Sequence, residues 1–431
     1  MADPIHDGAV ASSALAPDTG KPLPASSLVR FALGFILFGG MWMMSDMIGA
    51  AVLLPQRFVE LFPGQAEAVL GTMNSFGSIF ALIANVVFGA LSDATRSRFG
   101  KRTPWIACGG FIAGIAFWLT SVQTSLVGIA VFWSILQVGL NMMIAPAMPI
   151  LSDRIPLMRR GTISAFYGAG VICGQSLGTI IGSAFITDIP AGVVFGVISW
   201  FLTGLLVVII WPRERSAALA QTQRSDRLSP SALLKSFIPS CRGCRDFYLA
   251  LVGRFLFVFG YFVIGGYQLY ILERFIGLGE IRASQVLSIL SLIIMVVSLV
   301  TSLTSGVISD KIGRRKPLVA VASVLIAIGF AVPWLVHSVA SMYIYAALSG
   351  IGYGVYSSVD QALNVDVLPS REQAGKDLGI LNIANTAGQV FAPVVTSSIV
   401  LITSSYALTF PFAICFIMLG VVFIMLIRGV A

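Results

Sequence analysis

Twelve stretches of the chain are too apolar and too long to be anything but helices in lipid: 29–53, 69–92, 104–122, 126–151, 162–186, 191–211, 246–272, 284–309, 317–337, 341–365, 377–401 and 406–428. A hydrocarbon core ~30 Å thick takes ~20 residues of helix to cross. Inside it, backbone N–H and C=O groups must bond within their own segment, which leaves helix as the form for such runs. Charged residues are 11% of the chain and the mean hydropathy is +0.92, whereas a soluble domain is ~25% charged. The expected fold class is therefore all-α integral membrane, with 12 transmembrane helices.

The basic residues orient these runs. The loops after the second, fourth, sixth, eighth and tenth runs hold 20 of the 27 Lys and Arg residues, while the opposite loops hold Arg57, Arg274 and Arg282 among five acids. Positive charge collects on the cytoplasmic side, so both termini are expected to be cytoplasmic and the protein a multi-pass component of the plasma membrane. The net charge of +8 is a topology signal, and no nucleic-acid partner is expected. The divisions expected are a disordered cytoplasmic tail (1–28), a six-helix bundle (29–211), a basic cytoplasmic loop (212–245) and a second six-helix bundle (246–428). Cys241 and Cys244 form a CxxC in that loop. Without a second Cys or His pair nearby they are expected to be reduced thiols and not a zinc site.

The two halves repeat each other. GALSDATRSRFGKRTPW at 89–105 returns as GVISDKIGRRKP at 306–317. The segment 151–175 matches 364–389, pairing Asp153 with Asp366, and Gly174-Gln175 with Gly388-Gln389. Two such halves, with a substrate site near mid-membrane between them, are a plan of secondary transporters.

Twelve spans in two sixes, with this turn after spans 2 and 8, resemble the major facilitator superfamily over essentially the whole chain. The second turn (Gly306, Asp310, Gly313, Arg314, Arg315) fits the general motif. The first (Gly89, Asp93, Arg98, Gly100, Arg102) is longer and is similar to the expanded form in the glycoside–pentoside–hexuronide cation symporters and the related sucrose transporters. GKDLGILNIANTAGQVFAP at 375–393 resembles their span 11. The resemblance implies two pseudo-symmetric six-helix bundles, and a cytoplasmic charge cluster that latches when the carrier opens outward. Asp153 can reach the Asp93–Arg102 turn, as Asp366 can reach Asp310 and Arg314. The melibiose permeases of that branch use acidic residues in spans 2 and 4 for cation coupling. Here those spans carry neutral Asn74, Ser78, Asn85, Gln137 and Asn141.

An ionisable residue inside a span costs ~2.5–3.5 kcal/mol on insertion scales and calls for a reason. Three are present: Asp46, Arg254 and Asp360. Asp46 is 15 residues past Phe31, or ~22 Å along the helix, and helical spacing puts Trp42, Ser45 and Gly49 on its face. Tyr353, Tyr356, Ser357, Asp360 and Asn364 form one stripe of span 10; Arg254, Tyr261 and Gln268 recur every seven residues in span 7. The superfamily resemblance implies that spans 1, 4, 7 and 10 line a central cavity, so these stripes are expected at one water-filled site. Asp46 or Asp360 is the candidate for proton or cation coupling, because burial favours the neutral carboxyl. Both are weighed against a bare neutralising role beside Arg254. Asn382, Asn385, Gln389 and Gln175 offer amides that suit sugar hydroxyls or equally bond neighbouring helices.

Gly170, Gly174, Gly178 and Gly182 make a small-residue ridge on span 5, matched by Ala384, Gly388, Ala392 and Thr396 on span 11. Both are expected to be contacts that slide as the halves rock. Nothing groups as a catalytic site, no GxxxxGK[ST] cradle occurs, and neither cofactor nor metal is expected. The functional expectation is a monomeric secondary transporter taking up a sugar or glycoside, coupled to H+ or alternatively Na+. The alternatives are an efflux permease for amphipathic small molecules and a non-transporting membrane receptor or assembly factor.

Overall fold

In the computed structural model the described residues are 15–214, 244–312, 314–367 and 374–428. The side chains at 157, 207, 306, 307, 310, 311, 361, 362, 364–366, 374–379, 382 and 383 also lie outside the description. The second-turn residues Gly306, Asp310 and Gly313, with Asp366 and Asn382, therefore fall outside what is described of side chains.

The chain divides into two compact units, Met1–Arg57 with Phe76–Gln221, and Phe58–Ser75 with Thr222–Ala431. The first opens on two short antiparallel strands, β1 (Leu15–Ala16) and β2 (Lys21–Pro22), within the stretch expected as a disordered tail. The Pro-Asp-Thr-Gly sequence between them favours a turn; Gly20 supplies the left-handed residue (φ 63°) and its N–H bonds to the Ala16 carbonyl. Then come α1 (Ala25–Met47), a π-helical segment Ile48–Leu53, and α2 (Leu54–Leu61) in continuous succession. They are followed by α3 (Ala66–Ala94), α4 (Thr103–Val122), α5 (Leu126–Ala147), α6 (Ile150–Arg154), α7 (Leu157–Ala184) and α8 (Ile189–Ile210). Local chemistry sets several starts: Pro104 occupies the first turn of α4, and Ser125 caps α5 by accepting from Gly128 N–H.

The second unit comprises α9 (Arg245–Gly265), α10 (Gln268–Tyr270), a second π segment Ile271–Phe275, α11 (Glu280–Ile312), α12 (Lys316–Leu335), α13 (Val339–Asp366), α14 (Ala374–Thr403) and α15 (Thr409–Met425). Among the described residues, ten helices are long and apolar enough to cross a membrane, and Thr409–Met425 is a shorter apolar helix. The polar stripe of α13 sits where the tenth apolar run was expected. Ile209, Leu303 and Ile402 stand on outer faces, highly exposed, an arrangement suited to lipid and costly in water.

Each unit is built on the same pairings. In the first, α1 packs on α7 and α8, and α4 packs on α5 and α8; in the second, α9 packs on α14 and α15, and α12 packs on α13 and α15. The glycine ridge explains the closest of these. A Cβ at Gly170 would collide with the Ile36 carbonyl of α1, one at Gly174 with the Gly40 carbonyl, and one at Gly178 with the Met44 carbonyl. In the matching contact, Gly388 lies against Phe259 N and Val258 of α9, and Thr396 Oγ1 donates to the Val263 carbonyl (2.9 Å). Both ridges thus clasp a helix of their own unit. Small residues at these positions let the backbones approach closely.

Candidate functional site

In the first unit the residues expected around Asp46 are packed against neighbouring helices. Ser45 is fully buried and shares a 2.7 Å hydrogen bond with Ser199 of α8, while Gly49 is filled against by Phe117 of α4. Both point into the bundle, because a helix turns ~100° per residue and Ser45 precedes Asp46 by one. Trp42, one turn before Asp46, lies close to the Tyr167 hydroxyl of α7. Asp46 Oδ1 is sealed from solvent with no hydrogen-bond partner among the described residues. The π segment begins two residues after Asp46; such extra-residue turns are rare and concentrate at functional sites.

Gln137 and Asn141 of α5 do not reach Asp46 through any hydrogen bond described. Asn141 donates to the Gln137 carbonyl (2.9 Å) and accepts from Asn85 of α3 (3.1 Å), and Gln137 packs beside Gly77. Asn141 thus joins α5 to α3 through its amide. Gln175 is half-buried on α7, and its carbonyl accepts from Thr179.

In the second unit the stripes of α9 and α13 meet as a ladder. Arg254 Nη1 is 3.4 Å from Asp360 Oδ2, with side chains 7% and 4% exposed. One turn along, Phe257 stacks on Tyr356 (centroids 3.5 Å, 13°), then Tyr261 on Tyr353 (4.8 Å, 18°), and finally Gln268 donates to the Tyr345 hydroxyl (2.9 Å). Residue numbers rise on one helix as they fall on the other, so a seven-residue stripe of α9 finds a matching stripe of α13. The chain breaks at Gly265-Gly266 before Gln268, which re-aims the last rung. Phe257 and Tyr345 were missed from sequence, since an aromatic at helical spacing is ordinarily core. Asn385 is half-buried and Gln389 exposed on α14.

The first basic turn closes on itself. Arg102, 2% exposed, places Nη2 3.0 Å from Asp93 Oδ1 and 2.7 Å from Asp153 Oδ2, and its Nη1 donates to the Pro146 carbonyl (3.1 Å). Lys101 Nζ adds a 3.0 Å contact to Asp153. Arg98 is outside this cluster in this structure and stands over the Phe99 ring at 4.7 Å. The reason is Gly100: its φ of 97° reverses the chain between 98 and 101, a conformation a Cβ disfavours. Glu214, unremarked in the sequence, holds that turn by accepting from the N–H groups of Arg102 (3.0 Å) and Thr103 (3.3 Å). Gly89 has open space where a side chain would go, so packing does not require glycine there. Arg314 is exposed, and Arg315 occupies the N-cap position of α12 without a side-chain cap hydrogen bond.

A third cluster was not anticipated. The first turns of α3 belong to the second unit, where Glu67 is 4% exposed and 2.5 Å from Arg274 Nη1, and it accepts from the Tyr406 hydroxyl (3.3 Å). Tyr267 donates to the Pro393 carbonyl (3.0 Å) beside it. Phe58–Ser75 groups with the second compact unit, and this ion pair lies within it. The sequence signal was Arg274 alone, a cation on the cation-poor side. Neighbouring Glu273 has its carboxyl pushed up to about 7, first by burial and then by Glu280. Cys244 is disulfide-bonded and not the reduced thiol expected; Cys241 lies outside the described residues.

Comparison with known proteins puts this arrangement in context. The Major Facilitator Superfamily profile matches residues 31–302 and 250–430. Citrate exporter 1 of Yarrowia lipolytica (strain CLIB 122 / E 150) is 26% identical over 201 residues, 45% of this chain; the chain spans 27% of the length of that relative. In fold the chain is similar to the nucleoside transporter NupG, solved as a mutant (TM-score 0.71, 13% identity, 92% of this chain and 99% of that one). It is also similar to a bacterial homologue of the human lysosomal transporter Spinster in an inward-facing, occupied conformation (0.66, 16%, 93% and 96%). A third similar fold is the human organic anion transporter MFSD10 (0.64, 16%, 93% and 100%).

Proposed function

The chain belongs to the major facilitator superfamily, and from that premise, a membrane transporter of small molecules and not an enzyme, we propose that it is a proton-coupled importer of a sugar or glycoside. The observation that carries the substrate class is the Arg254–Asp360 pair. Its two charges cancel, so this site offers a solute no uncompensated charge, and a neutral polyol suits it better than a carboxylate. Tyr261, Tyr353 and Gln268 beside it supply ring faces and an amide, groups that meet a sugar's apolar face and its hydroxyls. The extended first turn, similar to that of the sugar–cation symporters, supports the same class.

Coupling falls to Asp46. Asp360 already has a cationic partner, whereas an unpaired carboxylate at Asp46 is costly at membrane depth and a proton removes that cost. Proton binding at Asp46 from the outer side and release to the inner side would then accompany solute transfer, with the Asp93–Arg102–Asp153 cluster holding the cytoplasmic end shut in one phase of the cycle. In this reading the protein is a monomer in the plasma membrane with both termini cytoplasmic.

One observation favours a second reading. Arg254 Nε–H is buried and without a partner among the described residues, a donor on which a carboxylate could dock if Asp360 let go. Export of an organic anion would follow; one similar protein is named a citrate exporter and another an organic anion transporter. Proteoliposomes with an imposed pH gradient separate the two. Accumulation of labelled glycoside that collapses with a protonophore supports import. Failure of every sugar tested, with gradient-driven movement of citrate, overturns it in favour of anion export.

A further inference from the structure

We propose that the groove between α1 and α7 at their basic-loop ends is a binding site for one anionic phospholipid, with its phosphate on Arg159 and an acyl chain between the two helices. The groove has a physical origin. From Tyr167 onward α7 touches the α1 backbone, the Tyr167 carbonyl against Gly39 and the glycine ridge beyond it against Ile36, Gly40 and Met44, but this close contact stops there. Before it, the same face of α7 carries Phe166, Ile163, Thr162 and Arg159, and α1 answers with Ile36, Leu33 and Val29. These side chains wedge the helices apart and leave a cavity of about 340 Å³. Apart from Arg159 and the Thr162 hydroxyl its walls are hydrocarbon, and Val29, Leu33 and Phe166 are exposed. A water-soluble solute finds little to bond there, and an acyl chain fits.

The charge at the groove's end selects the headgroup. Arg159 is exposed, and its guanidinium has no hydrogen bond or ion pair among the described residues; only its backbone N–H is engaged, by the Pro156 carbonyl. Its neighbours are committed: Arg160 donates to the Ser152 (2.6 Å) and Ile155 (3.0 Å) carbonyls, and Arg154 to Asp18 and the Pro212 carbonyl. Arg159 is also in the first turn of α7, the depth at which a span leaves hydrocarbon and meets phosphates. Basic side chains at that level attract anionic lipid. One uncommitted guanidinium above a chain-shaped apolar slot is complementary to a phosphodiester with a tail.

The test uses the full-length protein, purified and delipidated, with native mass spectrometry against mixed phosphatidylglycerol and phosphatidylcholine. Wild type should retain one phosphatidylglycerol in preference to phosphatidylcholine. Arg159→Gln should weaken that preference roughly five-fold, and Leu33→Trp, which fills an exposed part of the slot, should lower retention of both lipids. Equal retention by wild type and Arg159→Gln overturns the proposal. So does loss of preference in Arg159→Gln with full retention in Leu33→Trp, which would place the headgroup contact outside the groove. Thermal unfolding of each variant in detergent without lipid, unchanged from wild type, shows that folding is not what moved.

Discussion

Arg254 of α9 and Asp360 of α13 hold one another at 3.4 Å, both almost wholly buried, at the foot of an aromatic ladder that joins the two helices. A buried pair of this kind adds little net stability over an apolar replacement, but removing one partner strands the other. Asp360→Asn is therefore expected to destabilise the protein by ~3–5 kcal/mol, read as a fall in melting temperature in detergent. The double substitution Arg254→Met with Asp360→Leu should recover most of that loss and still fail to transport. A single mutant as stable as wild type would show that the pair is open in the membrane.

Asp46 is predicted to behave in the opposite way. Its Oδ1 has no described partner, so Asp46→Asn removes a costly group and breaks no contact. Stability should hold or rise, while transport loses its dependence on the pH gradient and retains exchange of solute down its own gradient. Gradient-driven accumulation by Asp46→Asn at the wild-type level would move the coupling site elsewhere.

Arg102 is the hub of the first basic turn, bonded to Asp93, Asp153 and the Pro146 carbonyl. Arg102→Ala leaves two carboxylates facing each other without their common partner, and Lys101 compensates only part of it. Turnover should fall several-fold with KM nearly unchanged, since no solute-facing group is touched. Arg98→Ala should have no such effect. Equal losses in both variants would reduce the turn to a general membrane anchor.

Glu273 gives a stability-versus-pH prediction. Its carboxyl is pushed up to about 7 in the folded protein, by burial first, then by Glu280 and Glu67 against the opposing pull of Arg274. The folded state thus binds the proton more tightly than the unfolded chain, whose glutamate titrates at ~4.3. Stability is full below that value, declines as pH rises toward 7, and is level above it. The site is partly open to solvent, so the change is on the order of 1 kcal/mol after allowing for screening. Glu273→Gln should flatten that decline in melting temperature between pH 5 and pH 8. A slope identical to wild type would assign the pH dependence to another group.

Much of this protein was readable because its strongest signals are one-dimensional. Apolar length and cation placement are properties of single segments, so the helices, the basic turn at 89–105 and the repeat of Asp153 by Asp366 needed no neighbours to be seen. Seven-residue spacing even put Arg254, Tyr261 and Gln268 on one face. What spacing could not say was which helix that face would meet, and whether its groups would stay open or bond to each other.

Tertiary structure alone decided those points. Ser45 and Asp46 are adjacent in sequence, yet one bonds to Ser199 and the other buries an Oδ1 with no described partner, because ~100° per residue separates them and the neighbouring helices differ. Gly100 turned Arg98 away from the carboxylates and brought Lys101 in, a choice set by one positive φ. Glu67 joined the second unit through Arg274 and Tyr406, more than two hundred residues downstream. Hydrophobic length and charge asymmetry, being local, determined that this chain is a two-fold repeated helical membrane protein. The partners of its buried charges depend on packing between distant helices, and only the folded chain could assign them.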